Sequence, residues 1–142
     1  MTTTVECAAD RLRMQEEREP APDATLTIAE VAERTGVTAH TLRYYERIGL
    51  LAVGRDHSGH RVYSADDYGR VVFVNRLRTA GMPIRELQRY IALAEAGDHT
   101  VPERLQIMLD HRDAVRTQIQ ELQFCLETIE FKIAAYGGAM AP

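Results

Sequence analysis

Cations and hydroxyls are spaced along residues 38–61 in a way that suits hydrogen bonding to phosphates and base edges. Arginine supplies a planar, permanently charged fork of N–H donors, and histidine, threonine and tyrosine add shorter donors and acceptors. The residues concerned are Thr38, His40, Thr41, Arg43, Tyr44, Arg47, Arg55, His57 and Arg61. They form one nucleic-acid-binding surface only if local structure brings them to the same face.

A short helix is predicted to begin at Thr27, ahead of these residues. Thr27 and Glu30 form a T-x-x-E capping box, in which each side chain accepts a hydrogen bond from a backbone N–H at the helix start. Leu26 and Val31 stand at the positions of a hydrophobic staple. The helix is expected to end at Gly36, because glycine adopts the backbone angles that a sharp turn needs.

A second helix is predicted from Thr38, a favourable N-cap, to Gly49, a favourable C-terminal glycine. Leu42, Tyr45 and Ile48 recur at spacings of three and predict its inward face. Two short helices joined by a glycine-containing turn are typical of a helix-turn-helix, whose second helix meets base edges in DNA. The alternative is a helical hairpin whose polar face is only solvated.

A hairpin is predicted after the second helix. Two β-prone stretches, residues 51–53 and 61–63, flank a glycine-containing loop. Arg55 and Arg61 stand at the two roots of that loop, and a basic hairpin beside a helix-turn-helix can act as a wing that contacts phosphates. The alternative for both arginines is ordinary solvated charge.

Two further helices are predicted to support the winged unit. Ser64 caps the first of them, which ends near Gly81, and Pro83 opens the second, which ends at Gly97. Their apolar residues recur at helical spacing and predict plain core behind the winged unit.

The last third of the chain predicts a coiled coil. Apolar residues follow one another there in alternating steps of three and four, an a/d heptad pattern that predicts a helix about 50 Å long. No second helix of matching length is predicted, so the expected partner is a second copy; the alternative is a helix folded back on its own domain. The predicted seam consists of Leu105, Met108, Arg112, Val115, Ile119, Leu122, Leu126, Ile129, Ile133 and Tyr136.

A resemblance to the MerR family of bacterial transcription regulators lies in the motif HTLRYYERIGLL and in the spacing R-x-x-x-G-x-R-x-Y-S-x-x-D that follows it. The resemblance covers residues 26–136. It implies a mainly α fold, in which a winged helix-turn-helix DNA-binding domain is followed by a long dimerisation helix that forms an antiparallel coiled coil. With Arg47 from the exposed helix face, the implied DNA-contacting residues are Thr27, Thr38, His40, Thr41, Arg43, Tyr44, Arg47, Arg55, His57, Gly59, Arg61 and Tyr63.

The resemblance also implies a mechanism. MerR-like regulators bind promoters whose two elements for RNA polymerase are too far apart, and they bend and untwist that DNA so that the polymerase can use it. The implied partners are double-stranded operator DNA with a palindromic sequence, a second copy of the chain, and RNA polymerase. The alternative is an effector-independent architectural DNA-binding protein of the excisionase kind, which would not need the heptad seam.

Residues 97–137 bear on the signal that such a regulator would sense. Residues 97–137 most resemble the branch of the family that responds to aldehydes and to nitrosative or thiol stress, but Arg76 stands where that branch often carries a reactive cysteine. Cys125 lies beside the seam, where we expect a buried, inert thiol, with a redox-sensing thiol as the alternative. His99 and His111 are not spaced with Cys125 as a metal site would require, so neither metal nor cofactor is predicted.

Composition and length predict a globular protein without membrane segments. The chain has 142 residues, of which 45% are hydrophobic and 27% charged, close to globular averages. It has no long apolar run and no N-terminal apolar segment, so a cytoplasmic, nucleoid-associated location is expected. The net charge of −4 is uneven, since residues 26–90 carry ten arginines and seven acids. No motif of a phosphate loop, metalloprotease or serine hydrolase is present, so we predict no enzyme.

The predicted organisation has four parts. Residues 1–25 form a flexible extension that contains Cys7, with a frayed helix around residues 8–18. Residues 26–97 form the winged helix-turn-helix domain with its supporting helix pair. Residues 98–136 form the dimerisation helix, and residues 137–142 form a tail.

Overall fold

The computed structural model describes residues 19–138. The predictions for Cys7 and for residues 8–18 therefore lie outside the described residues, as do the last four residues of the tail. Within the described range the chain is mainly helical, as predicted, with a small sheet. The elements are β1 (Thr25–Thr27), α1 (Ile28–Thr35), α2 (Ala39–Arg47), β2 (Gly54–Arg55), β3 (Arg61–Ser64), α3 (Ala65–Thr79), α4 (Ile84–Ala96), a 3-10 turn (Asp98–Thr100) and α5 (Val101–Ala135).

The ends of the helix-turn-helix follow the predicted capping residues. The Thr27 backbone N–H donates to Glu30 Oε1 at 3.1 Å, and the Glu30 N–H donates to Thr27 Oγ1 at 3.2 Å, which completes the capping box of α1. Gly36 ends α1 with a φ of 75°. Thr38 caps α2, because its hydroxyl oxygen accepts a hydrogen bond from the Thr41 N–H at 3.1 Å. These bonds satisfy backbone donors that a helix start otherwise leaves unpaired.

A three-stranded antiparallel sheet, with the order β1-β3-β2, joins the helix-turn-helix to the wing. The prediction of a strand at residues 51–53 was wrong, because Leu51 is buried in the core and the wing strand begins only at Gly54. Strand β1 was not predicted. Its three residues also supply the N-cap of α1, so local pattern does not distinguish them from a helix lead-in.

One hydrophobic core lies between α1, α2, β3, α3 and α4, and it includes Ile107 from the long helix. Ile107 was not part of the predicted seam, and it packs α5 onto the rest of the domain. The buried hydrophobic residues are Leu26, Val31, Val37, Leu42, Tyr45, Leu50, Leu51, Tyr63, Tyr68, Val71, Val74, Met82, Leu87, Ile91 and Ile107.

The junction between α4 and α5 is held by Thr100, which is buried. Its hydroxyl donates to the Leu93 carbonyl oxygen at 2.6 Å, and Arg104 Nε donates to Thr100 Oγ1 at 3.0 Å. An ion pair of 3.7 Å between Arg89 and Glu103 adds a second connection between the two helices. The direction of α5 relative to the DNA-binding part is therefore set by side-chain hydrogen bonds as well as by Ile107.

Most of α5 beyond this junction is exposed, so the helix does not fold back on its own domain. Seven large apolar residues of the predicted seam are open to solvent, from Leu105 at 56% exposure to Tyr136 at 79%, whereas Met108 is half-buried against the core. Within residues 19–138 no helix is both long and apolar enough to cross a membrane.

Candidate nucleic-acid interface

Helix α2 presents the predicted polar face to solvent. Leu42 and Tyr45 are buried and anchor the opposite face in the core. His40 and Arg43 are exposed, and Arg47 is exposed one turn further along. Because the buried and exposed residues alternate with the helical period, the exposed side chains share one face of the helix.

Two pairs of neighbours on α2 are already in contact. Thr38 Oγ1 donates to Thr41 Oγ1 at 3.0 Å while accepting the Thr41 N–H. The hydroxyl proton of Thr41 is then left to donate to an outside acceptor. The Arg47 guanidinium lies over the Tyr44 ring, 5.5 Å from its centroid, which is within cation–π range. The hydroxyl of Thr38 therefore acts first as a helix cap, and Tyr44 orients Arg47.

The tip of the wing is organised by Asp56. Its Oδ1 accepts hydrogen bonds from the backbone N–H groups of Ser58 and His60, both at 2.9 Å. Hydrogen bonding from the His60 backbone, with a smaller contribution from Ser58, holds the pKa of the Asp56 carboxyl below its ordinary value. Gly59 has a φ of 82°, a backbone angle that favours glycine in the turn. His57 and Gly59 are thereby held exposed at the tip.

Glu46 connects the wing to α2. Arg61 Nε donates to Glu46 Oε2 at 2.5 Å, and Arg55 Nη2 donates to Glu46 Oε1 at 3.4 Å. Arg55 Nη1 also lies 3.4 Å from the Gly59 carbonyl oxygen. Glu46 is not among the site residues predicted from the sequence. Its partners are nine and fifteen residues away, so helical periodicity carries no signal for this contact.

A groove with a volume of about 1010 Å³ lies between the start of α1, helix α2 and the wing. It collects predicted site residues from three elements that are separate in the sequence. The charge of the groove is mixed, since Asp56 and Asp67 also line it. The predicted residues that line it are Thr27, Arg43, Arg55, His57, Gly59 and Arg61.

The remaining predicted residues of α2 do not line this groove. Thr38, His40, Thr41, Tyr44 and Arg47 lie on the recognition helix itself. The candidate interface therefore has two parts, a helix face and a groove, and Arg43 belongs to both. A duplex that met the helix face could place a phosphate in the groove, where the guanidinium groups of the wing provide charge-assisted donors.

Tyr63 is a correction to the predicted site. Its side chain is fully buried in the core, and it lies opposite Leu26 in the pairing of β1 with β3. A buried ring has no surface from which to contact DNA, so the predicted DNA contact by Tyr63 is wrong for this structure. Its hydroxyl has no hydrogen-bond partner among residues 19–138, and burial raises the pKa of the phenol.

The Cys125 thiol is exposed in the single chain. Its burial beside the seam of a paired helix stays a prediction. In the part of the chain that the structure describes, no group of three or more histidine, cysteine, aspartate or glutamate side chains is arranged to hold a metal ion.

Two family models match the chain. The model of the MerR HTH family regulatory protein matches residues 26–93, and the model described as MerR, DNA binding matches residues 68–130. An uncharacterized HTH-type transcriptional regulator of Haemophilus influenzae is 36% identical over 118 residues, which cover 82% of this chain and 87% of that protein. The HTH-type transcriptional regulator AdhR of Bacillus subtilis is 44% identical over 88 residues, 61% of this chain and 63% of that protein.

Solved structures are similar over the same region. The crystal structure of HiNmlR, a MerR family regulator lacking the sensor domain and bound to promoter DNA, matches with a TM-score of 0.75 and 36% identity, covering 80% of this chain and 91% of that chain. A MerR family transcriptional regulator from Bacillus thuringiensis matches with a TM-score of 0.74 and 30% identity, covering 80% of this chain and 100% of that chain. These relatives are transcriptional regulators.

Proposed function

Because the chain belongs to the MerR family of DNA-binding transcriptional regulators, we propose that it works as a homodimer on a palindromic promoter operator and distorts that DNA to control transcription. Two identical recognition helices related by a two-fold axis read two inverted half-sites, which accounts for the palindrome. RNA polymerase, at the same promoter, is the proposed partner that responds to the distortion.

The observation that carries this proposal is the apolar stripe along α5. Seven large hydrophobic side chains of the seam are between 40% and 79% exposed in the single chain. Apolar surface of this extent is costly in water, and pairing with the same stripe on a second copy removes it. An antiparallel arrangement of the two helices places the DNA-binding parts at opposite ends of the coil. The exposed seam residues are Leu105, Ile119, Leu122, Leu126, Ile129, Ile133 and Tyr136.

DNA contacts are assigned to residues 26–97. The exposed face of α2 enters a major groove, with Arg43 and Arg47 toward the bases and the DNA backbone. The wing lies beside it, with Arg55 and Arg61 directed at phosphates. Support comes from the groove that joins Arg43, Arg55 and Arg61 to the start of α1.

Distortion of DNA requires that each half of the dimer transmit force to the other. Bending a DNA site of a few helical turns costs on the order of 1–6 kcal/mol, and the protein–DNA contacts must supply this energy. The hydrogen bonds of Thr100 and the packing of Ile107 join α5 firmly to the DNA-binding part. We propose that this junction keeps the half-site spacing of the dimer constant, so that the DNA deforms to fit it.

A small stress signal, such as an aldehyde or an oxidant, is proposed to change the activity of the bound dimer. The support is the resemblance of residues 97–137 to the branch that answers such signals. The exposed Cys125 thiol is the candidate for a redox response.

The test is footprinting of the purified protein on the promoters of its own and neighbouring genes, combined with transcription in vitro. We expect protection of an inverted repeat, two protein chains per site, and a change in transcript level on adding protein. Protection of a single half-site by one chain would contradict the dimer proposal. A transcript level that never changes with an aldehyde or an oxidant would contradict the proposed signal but leave the dimer intact.

A further inference from the structure

One carboxylate lies in the middle of a surface that otherwise displays cations. Both oxygens of Glu46 contact wing arginines, Oε2 with Arg61 Nε and Oε1 with Arg55 Nη2. Its side chain is only 21% exposed. A negative charge beside bound phosphates opposes binding, so its presence calls for a compensating role.

We propose that Glu46 is a positioning residue of the DNA interface: it orients Arg55 and Arg61 and joins the wing to the recognition helix, so that both meet DNA as one rigid unit. The inference rests on the DNA contacts of the proposed function and names what organises them. Glu46 itself contacts no phosphate in this arrangement.

The geometry of Arg61 supports this role. The guanidinium is held through Nε, and within residues 19–138 its two terminal nitrogens form no hydrogen bond. Arginine has five N–H donors, so four of them are left for a phosphate. The short contact to Glu46 thus determines where the free edge of the guanidinium points, and the side chain lines the groove.

Arg55 is held less tightly. Its contacts to Glu46 and to the Gly59 carbonyl oxygen are both 3.4 Å, and its side chain is 46% exposed. These long bonds are weak, and a phosphate can replace them at small cost. Two arginines share one carboxylate, so the cluster keeps a net positive charge. Glu46 therefore orders the cations without cancelling them.

The wing needs such a connection because its own structure is small. Strand β2 has only two residues, and a two-stranded hairpin is marginally stable alone. Free arginine side chains lose rotamer entropy when they bind a phosphate. A wing already ordered by Glu46 has lost part of that entropy before DNA arrives.

The test is a mutant cycle that compares Glu46→Ala in two backgrounds, the natural chain and the double variant Arg55→Ala with Arg61→Ala. In the natural chain we expect the dissociation constant to rise on the order of ten-fold, because two arginines lose their orientation. In the double variant we expect no weakening, since Glu46 no longer has arginines to position. Glu46→Gln keeps the shape and one acceptor, and it should give a smaller effect in the same direction.

Two outcomes would overturn the inference. Tighter binding of Glu46→Ala in both backgrounds would make Glu46 a simple repulsive charge. Equal weakening in both backgrounds would assign its effect to the fold alone. Glu33→Ala, which removes the same charge from an exposed position of α1 outside the groove, is the matched control and should change binding little.

The cycle is measured on a nonspecific duplex at low salt as well as on the operator. Wing–phosphate contacts act on any duplex, so the cycle can be read even if no palindrome is recognised. If the protein showed no preference for the operator but Glu46→Ala weakened binding only when the two arginines were present, the proposed function alone would be contradicted. If the protein preferred the operator but the effect of Glu46→Ala did not depend on the arginines, the role of Glu46 alone would be contradicted.

Discussion

At the scale of single residues, the proposed DNA interface divides into side chains that build local structure and side chains that form no ion pair or hydrogen bond within the described residues. The hydroxyl oxygens of Thr27, Thr38 and Ser64 accept backbone N–H groups at the starts of α1, α2 and α3. Arg43 forms no ion pair or hydrogen bond within residues 19–138. The uncommitted charge of Arg43 therefore makes it the most direct probe of DNA contact.

Arg43→Ala should weaken operator binding about ten-fold or more and reduce the slope of log affinity against log salt by about one. The reason is that one phosphate or base contact is lost and no folded-state ion pair is broken. Gel shift at several salt concentrations measures both quantities. Arg116→Ala on α5 removes the same charge outside the groove and should leave the slope unchanged; equal slopes for all three proteins would contradict the contact.

The wing turn should respond to acid through Asp56. Its pKa is below the ordinary value of 3.8 because of the backbone N–H groups of His60 and Ser58. A lowered pKa means that the ionised carboxylate stabilises the folded turn above the unfolded pKa, and that this contribution is lost as pH falls through the folded pKa. Titration of the Ser58 and His60 amide signals by NMR should therefore give a midpoint below 3.8. A midpoint at or above that value would contradict the bonding, and Asp56→Asn should abolish the titration.

At the scale of elements, the unit proposed to meet DNA is α2, held between a glycine turn and the wing. Leu50, three residues beyond the end of α2, donates its N–H to the Tyr45 carbonyl oxygen at 2.9 Å, and Gly49 has a φ of 85°. This pair of features is a Schellman ending, which turns the chain sharply and buries Leu50. The end of the recognition helix and the start of the wing are thus placed by one residue in a left-handed conformation.

Gly49→Ala should destabilise the fold by about 1 kcal/mol, because alanine is strained at a positive φ. A Cβ at Gly49 meets no atom within 4 Å, so the penalty comes from the backbone alone. Gly69→Ala is the matched control, since Gly69 lies within α3 and has equally open surroundings. It should stabilise the fold by up to about 1 kcal/mol through helix propensity. Urea unfolding measures the free energy of unfolding of both variants. Equal changes in the same direction would contradict backbone strain at Gly49 as the cause.

At the scale of the whole molecule, the described chain combines a packed DNA-binding part with a helix of 35 residues that is mostly exposed. Ile107 belongs to the core, and beyond it the buried side of α5 ends. Beyond Met108, which still packs against the core, the apolar stripe continues to Tyr136 for about eight turns without a partner in its own chain. A second copy is the proposed cover.

Leu122→Asp should convert the proposed dimer to a monomer. A carboxylate in the seam would be buried between two apolar helix faces, and because that burial is costly, the helices should separate. Phe124→Asp is a sharp control. Phe124 is 71% exposed and Leu122 69%, but two residues along a helix point to nearly opposite sides. Phe124→Asp should therefore remain a dimer in analytical ultracentrifugation. If both variants were monomers, or if both were dimers, the seam would not be the interface.

The sequence by itself determined the features that depend on neighbours within four residues. The capping box of α1, the serine cap of α3, the N-cap of α2 and the positions of Gly36 and Gly49 were all readable, because helix starts and ends are satisfied by local side chains. The continuity of α5 also followed from heptad periodicity. The exposed polar face of α2 followed from the spacing of its buried residues.

The tertiary structure alone decided what depends on distant partners. Strand β1 exists because it pairs with β3, with Leu26 opposite Tyr63, and the Tyr63 ring is buried in the core that the helices complete. Glu46 meets arginines nine and fifteen residues away, and Ile107 docks on a core built by earlier helices. Such contacts form only when distant parts of the chain pack together. The sequence periods of strands, two residues, and of helices, 3.6 residues, therefore cannot reveal them.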